Sequence, residues 1–271
     1  MTEKIEEKCG IVLILDALGV SKYNMEACRE YLNKQNQLKL MINFVKKGIE
    51  HATKNGEYHD EEHFINSQVF IFGDTIIICY PFDNLDITSN QFNRILGVSV
   101  DASVIMCWGL SEGILFRGCI TVGNYLYDEN SVMGPAIFDA VEWYEAANWF
   151  GVIVSPKSQL WIESVLSKYD KEYGKNEALY PTLVLHEVPL SHFSNPSTEK
   201  KLWTVPWPHM FFLKDFPFGS KSLAPRENFL NMLYNIPQTR ETEPKFKNSI
   251  DYFDIQEKIA ISLENRDQKE C

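Results

Sequence analysis

The stretch IVLILDALGVSKY, residues 11–23, constrains this chain more than any other. Five apolar residues run unbroken into Asp16, and Gly19 and Ser21 follow. A run of that length predicts a buried strand, and the residues after it predict a turn into a helix. Asp16 then has two readings. It caps the following helix, or it holds something at the strand end.

The next segments set the fold class. SKYNMEACREYLNKQNQLKLMINFVKKGIEHATK repeats its apolar residues at three- and four-residue steps, which predicts an amphipathic helix over about 21–53 with Ser21 as N-cap. KNGEYHDEEHF reads as a polar loop. SQVFIFGDTIIICYP holds two β-branched and aromatic runs divided by Gly73-Asp74, a hairpin signature. A helix over about 89–108, a strand over about 114–122 and a loop at YLYDENSVMGP come next. A helix opened by Pro135, a short strand in GVIVSP, a helix in KSQLWIESVLSKYDKEY and a strand in YPTLVLHEVPL complete the series.

The order β-α-β-β-α-β-α-β predicts an α+β fold, a ferredoxin-like split βαβ antiparallel sheet with helices on one face. The core is expected at residues 1–190. Residues 191–271, aromatic- and proline-rich in LWTVPWPHMFFLKDFPF, form a C-terminal extension packed on or beside it. Two further helices, in ENFLNMLYNI and FKNSIDYFDIQEKIAI, precede a frayed end, SLENRDQKEC.

Of the 271 residues, 45% are hydrophobic and 13% aromatic, which argues against global disorder. The net charge of −11 argues against DNA or RNA as partners, since phosphate backbones need clustered cations. A small local phosphate site remains compatible with it. The six cysteines show no C-x-x-C pair, and several lie in apolar runs, so a reduced, cytoplasmic setting is expected. The charged start MTEKIEEKCG is unlike a secretory signal, and the apolar runs fall short of the roughly 18 residues that span a bilayer, so no membrane is expected.

Asp16 ends the first strand and Asp74 sits in the hairpin turn, and in a split βαβ sheet these elements are neighbours. Two aspartates held together repel unless a proton or a cation separates them. Mg²⁺ suits such a pair because it combines a few carboxylates with a backbone carbonyl and phosphate oxygens. Each aspartate alone has an ordinary explanation, as a cap or a turn residue. The segment after Asp16 leads into a helix N-terminus, where free N–H groups favour a polyphosphate.

Other candidates carry less. His59 and His63 in HDEEH have i, i+4 spacing without further ligands. Arg117 could reach a phosphate or form a structural ion pair. Glu142 and Glu145 share a helix face that reads as solvated.

With LDALGVS, FGDTIIICYP, FRGCITVGNY, GPAIFDAVEWYE and VIVSP in this order over residues 11–156, the chain resembles the class III nucleotidyl cyclase domain. The resemblance implies that Asp16 and Asp74 bind two Mg²⁺ or Mn²⁺ ions and that Ala17 offers a backbone carbonyl to one. It implies that the turn Leu18, Gly19, Val20 and Ser21 holds the triphosphate. It also implies a homodimer with active sites at the interface. In such cyclases the 3′-hydroxyl attacks the α-phosphate and releases pyrophosphate.

Three positions depart from the purine cyclases. Phe138 and Glu142 stand where those enzymes carry an Asn and an Arg. Phe70 stands at the base-reading position, where a polar residue is usual. An apolar side chain there can stack on a base or narrow the pocket, though it cannot hydrogen-bond the base edge. With RGCITVGNY followed by GPAIFDAVEWYEAA, the chain looks closer to the Pycsar bacterial pyrimidine cyclases, a branch that lacks the usual purine-reading set and makes cyclic UMP or cyclic CMP in anti-phage defence. The implied substrate is UTP or CTP, and the alternative is a catalytically inactive cyclase-fold module that binds a nucleotide or a partner.

Overall fold

Strand β1 (Glu6–Ala17) lies between β3 (Thr75–Phe82) and β4 (Phe116–Tyr127), antiparallel to both. Ile11 to Leu15 are fully buried. A strand covered on both faces needs apolar side chains at successive positions, which is why the run is unbroken. The computed structural model describes residues 5–19, 24–54, 67–82, 84–88, 91–173, 183–190, 200–213, 223–238, 240 and 242–270.

Helix α1 (Met25–Lys54) follows. Its cap is Asn24, whose Oδ1 accepts the Ala27 amide at 2.9 Å. The predicted cap, Ser21, lies outside the described residues, as do Val20, His59 and His63. Strand β2 (Gln68–Phe72) pairs with β3 through the predicted Gly73-Asp74 turn. Gly73 has φ 59°, the left-handed region that favours glycine.

Helix α2 (Gln91–Ser111) is long and apolar enough, by length and composition, to cross a membrane, which the run-length expectation missed. In this fold most of that helix is buried. Strand β4 runs to Tyr127, five residues past the predicted end, and returns as β5 (Val132–Met133). The expected loop is therefore a hairpin. The Asp128 carboxylate closes its turn by accepting the amides of Asn130 and Ser131 at 2.8 and 2.7 Å.

Then come α3 (Pro135–Ala146), β6 (Val152–Val154), α4 (Pro156–Tyr173), β7 (Val184–Val188) and β8 (Lys200–Thr204). A 3-10 helix at Trp207–Phe212, α5 (Pro225–Tyr234) and α6 (Glu243–Glu270) finish the described chain. The last helix continues through the stretch expected to fray.

The strand order is β2-β3-β1-β4-β6-β8-β7, with β5 on β4. Each of the first four strands is antiparallel to its neighbours, with α1 between β1 and β2 and α2 between β3 and β4 in the chain. That is the predicted ferredoxin-like arrangement.

Two features differ from expectation. The sheet is mixed, because β6 runs parallel to β4, and such a pair needs a crossover, which α3 supplies. Helices also cover both faces. The Thr121 hydroxyl donates to the Ala136 carbonyl of α3 at 2.9 Å, whereas the Phe116 ring packs against Gly109 of α2. Residues 116 and 121 of one strand point to opposite sides of the sheet. Residues beyond 190 enter the same sheet, since β8 pairs with β6 at Ile153 and Thr204.

Candidate active site

Thr75, Asp16 and Arg117 lie side by side on adjacent strands, paired through Asp16 in the middle. Their side chains share one face, the face covered by α3. Arg117 Nε donates to Asp16 Oδ2 at 3.0 Å, and the Thr75 hydroxyl reaches Asp16 Oδ1 at 3.5 Å. The two ion-pair side chains are only 13% (Asp16) and 18% (Arg117) exposed.

Burial raises the Asp16 carboxyl above the usual carboxylate range. The charge and hydrogen bond of Arg117 oppose that rise, and the negative charge of Asp74 adds to it. Asp16 is therefore no helix cap, since Asn24 has that role and the Asp16 carboxylate faces Arg117.

Asp74 is held by its backbone. Its carbonyl accepts the Ala17 amide at 3.0 Å and the Tyr31 hydroxyl at 3.4 Å. Gln35 of α1 donates to the neighbouring Gly73 carbonyl. The turn is thus fixed against β1 and α1, which keeps the two aspartates within electrostatic reach.

The far end of α3 closes the site. The Arg117 guanidinium lies 5.2 Å from the centre of the Tyr144 ring, and its Nη1 donates to the Glu145 carbonyl at 3.4 Å. Burial, with the nearby Asp16 charge, pushes the Tyr144 hydroxyl up to about 12.

The other predicted residues fall as follows. Ala17 is buried beside Asp16. The Leu18 amide donates to the Leu115 carbonyl at 2.8 Å, so it is already committed and is not free for a phosphate. Gly19, with φ 83°, turns the chain away from the strand. Phe70 is buried in β2 with its ring stacked 6.3 Å from Phe72 and edge-on to Tyr127 at 6.5 Å. Its cross-strand partner Ile77 pairs in turn with Ile14, so Phe70 shares the face of Asp16, one pleat away. Phe138 is 61% exposed on α3, on the same stripe as the exposed Glu142 and Glu145.

Thr75 and Tyr144 are the residues that sequence reasoning missed. Thr75 adjoins Asp74 and begins a strand that must pair with β1, a usable signal. Tyr144 sits among other aromatics in AVEWYEAA, where nothing separates a site residue from a core one.

Two neighbouring carboxylates with oxygen-only chemistry suit a hard divalent cation that completes its shell with substrate oxygens and water. Among the described residues, no group of three or more His, Cys, Asp or Glu gathers in a metal-holding cluster. Among the described residues, Cys79, Cys107 and Cys119 are buried free thiols.

No protein-family model matches the chain, and no curated protein does. Among solved structures, it is similar to the catalytic core of a rhodopsin-guanylyl cyclase with converted specificity, in complex with ATPαS. The identity is 11% and the TM-score 0.40, over 74% of this chain and 98% of that one. The guanylyl cyclase Cya2 matches at 11% identity and TM-score 0.37, over 76% of this chain and 94% of that one. The guanylate cyclase domain of RhGC from Catenaria anguillulae, in complex with GTP, matches at 14% and 0.38, over 73% and 96%. At such identities and scores the likeness carries no inference about chemistry.

Proposed function

We propose that this protein is a metal-dependent nucleotidyl cyclase that converts a pyrimidine nucleoside triphosphate, UTP or CTP, to its 3′,5′-cyclic monophosphate and pyrophosphate. The observation that carries the reading is the adjacency of Asp16 and Asp74 at the end of a ferredoxin-like sheet, where Asp16 pairs across strands with Thr75 and the Ala17 amide donates to the Asp74 carbonyl at 3.0 Å. In this reading Asp16 and Asp74 hold Mg²⁺ or Mn²⁺, two ions, with the Ala17 carbonyl as a further oxygen donor. When bound, the metal supplies a lowered pKa for the attacking hydroxyl and neutralises charge on the leaving pyrophosphate.

The turn after β1 takes the triphosphate. With the Leu18 amide committed to Leu115, that role falls to Gly19, Val20 and Ser21. Arg117 contributes charge-assisted hydrogen bonds to phosphate oxygens. In this reading Phe70, on the face of Asp16, is an apolar wall on the base side of the site, while Phe138 offers an exposed apolar ring on the outer stripe of α3. Two copies of the chain enclose the substrate between them. Through its resemblance to the Pycsar branch, the reading extends to a cytoplasmic second-messenger synthase in bacterial anti-phage defence.

A second reading also has an observation in its favour. Arg117 already neutralises Asp16, as expected of a silent cyclase-fold module that binds a nucleotide or a partner without turnover. Incubation with each of the four triphosphates and Mn²⁺ or Mg²⁺, with products identified by mass spectrometry, separates the two. Cyclic UMP or cyclic CMP is the expected product. Nucleotide binding by calorimetry with no cyclic product from any triphosphate selects the silent module.

A further inference from the structure

Both oxygens of Asp16 are engaged in this structure, Oδ2 by Arg117 and Oδ1 by Thr75. The guanidinium is itself fixed from two other directions, by the face of Tyr144 and by the Glu145 carbonyl. A divalent cation approaching Asp16 therefore meets a fixed positive charge. Arginine cannot yield by losing a proton, because its guanidinium stays charged in proteins. One cation must replace the other.

Resting on the cyclase reading, we propose that Arg117 is a resident counter-ion of Asp16, so that metal entry at Asp16 and release of Arg117 are a single exchange. Arg117 is in this sense a positioning residue. It holds the carboxylate in place while the metal is absent and opposes its capture by a free ion.

The exchange couples metal to nucleotide. A released guanidinium carries five N–H donors and needs an anionic partner, which the triphosphate oxygens provide. Metal alone displaces a charge that has nowhere favourable to go, whereas metal with nucleotide relocates it. Each ligand then strengthens the other, by the same factor in both directions. The arrangement favours a site that fills only when substrate arrives.

The test uses the full chain, free of nucleotide, with Mn²⁺ alone as the probe and the free ion followed by electron paramagnetic resonance. Arg117→Gln should bind Mn²⁺ about tenfold more tightly than the unaltered chain, the size expected for loss of one charge-assisted hydrogen bond. Arg117→Lys, which keeps the charge, should restore weak binding, and Asp16→Asn combined with Arg117→Gln should lose the gain. A purely structural arginine would give no such gain.

A second measurement needs no variant. In the unaltered chain the Arg117 Nε–H signal, assigned through bonds by nitrogen-15 NMR, should shift as Mg²⁺ is added. Equal or weaker Mn²⁺ binding by Arg117→Gln overturns the exchange, and so does an Arg117 signal that stays put at saturating Mg²⁺. Failure of the cyclase reading looks different, with the Mn²⁺ gain present and no cyclic product from any triphosphate.

Discussion

Asp139 of α3 accepts the hydroxyl of Ser155 at 2.6 Å, and that bond ties α3 to the residue between β6 and α4. Ser155 also meets Ser158 at 3.0 Å, and the Ser158 hydroxyl accepts the Val122 amide of β4 at 2.8 Å. Both serines are buried, so the chain Asp139–Ser155–Ser158–Val122 ties α3, α4 and the sheet together through polar contacts. Replacing Asp139 by Ala leaves buried hydroxyls short of an acceptor. The expected cost is about 1–3 kcal/mol, read as a lower urea midpoint with an unchanged slope.

Asp16→Asn and Asp74→Asn should each reduce cyclic product by about a hundredfold or more while circular dichroism stays that of the parent. Asp16→Asn is a fairer test than Asp16→Ala, because Asn retains an oxygen to accept from Arg117 and an amide nitrogen that can donate to the Thr75 hydroxyl. Turnover equal to the parent in either variant would remove that aspartate from the metal site.

His209, in the 3-10 helix, is buried among aromatic residues, and burial lowers its pKa to about 4, with Gln256 acting weakly the other way. A folded-state pKa below the unfolded value of about 6.5 means that the unfolded chain binds more protons between pH 6.5 and 4. Stability from this group is therefore present above pH 6.5 and is lost as pH falls toward 4, by roughly 3 kcal/mol. Denaturant unfolding across that window should show the decline, and His209→Gln should flatten it. An unchanged pH dependence in the variant would assign the acid sensitivity to other groups.

A chain ended at residue 190 should fail to fold. Strand β7 finds its strand partner in β8, which lies at residues 200–204, and β6 pairs with β8 as well. Trp149 and Phe150 would also lose the cover of α6, where the Ser249 hydroxyl accepts the Phe150 amide at 3.0 Å and the Phe246 ring meets Phe150 at 5.4 Å. Aggregation or a molten spectrum is expected on expression. A monodisperse truncated chain with cooperative unfolding would show that residues 1–190 are an independent unit.

Much of this architecture was legible because it rests on local signals. The apolar run Ile11–Leu15 announces a strand covered on both faces, and Gly73-Asp74 announces a tight hairpin. The extension of β4 to Tyr127 was hidden, since polar Asn124, Asp128 and Asn130 resemble loop residues until a return strand pairs with them. The placement of β8 beside β6 depends on partners about 50 residues apart, for which periodicity holds no information.

The site divides in the same way. The proximity of Asp16 and Asp74 followed from strand adjacency, which the split βαβ order implies. The Asp16–Arg117 pair joins residues 101 apart, and only the register of β1 against β4 brings them together.

The position of β8 also bears on how the chain emerges during synthesis. β7 is made first and must wait at the outer edge of the sheet until β8, a dozen residues later, slots in beside β6. α6, which covers Trp149 and Phe150, is made later still. About 200 residues must therefore be made before the sheet can close. Until then β6 presents an unpaired edge, the kind of surface on which nascent chains stick to one another.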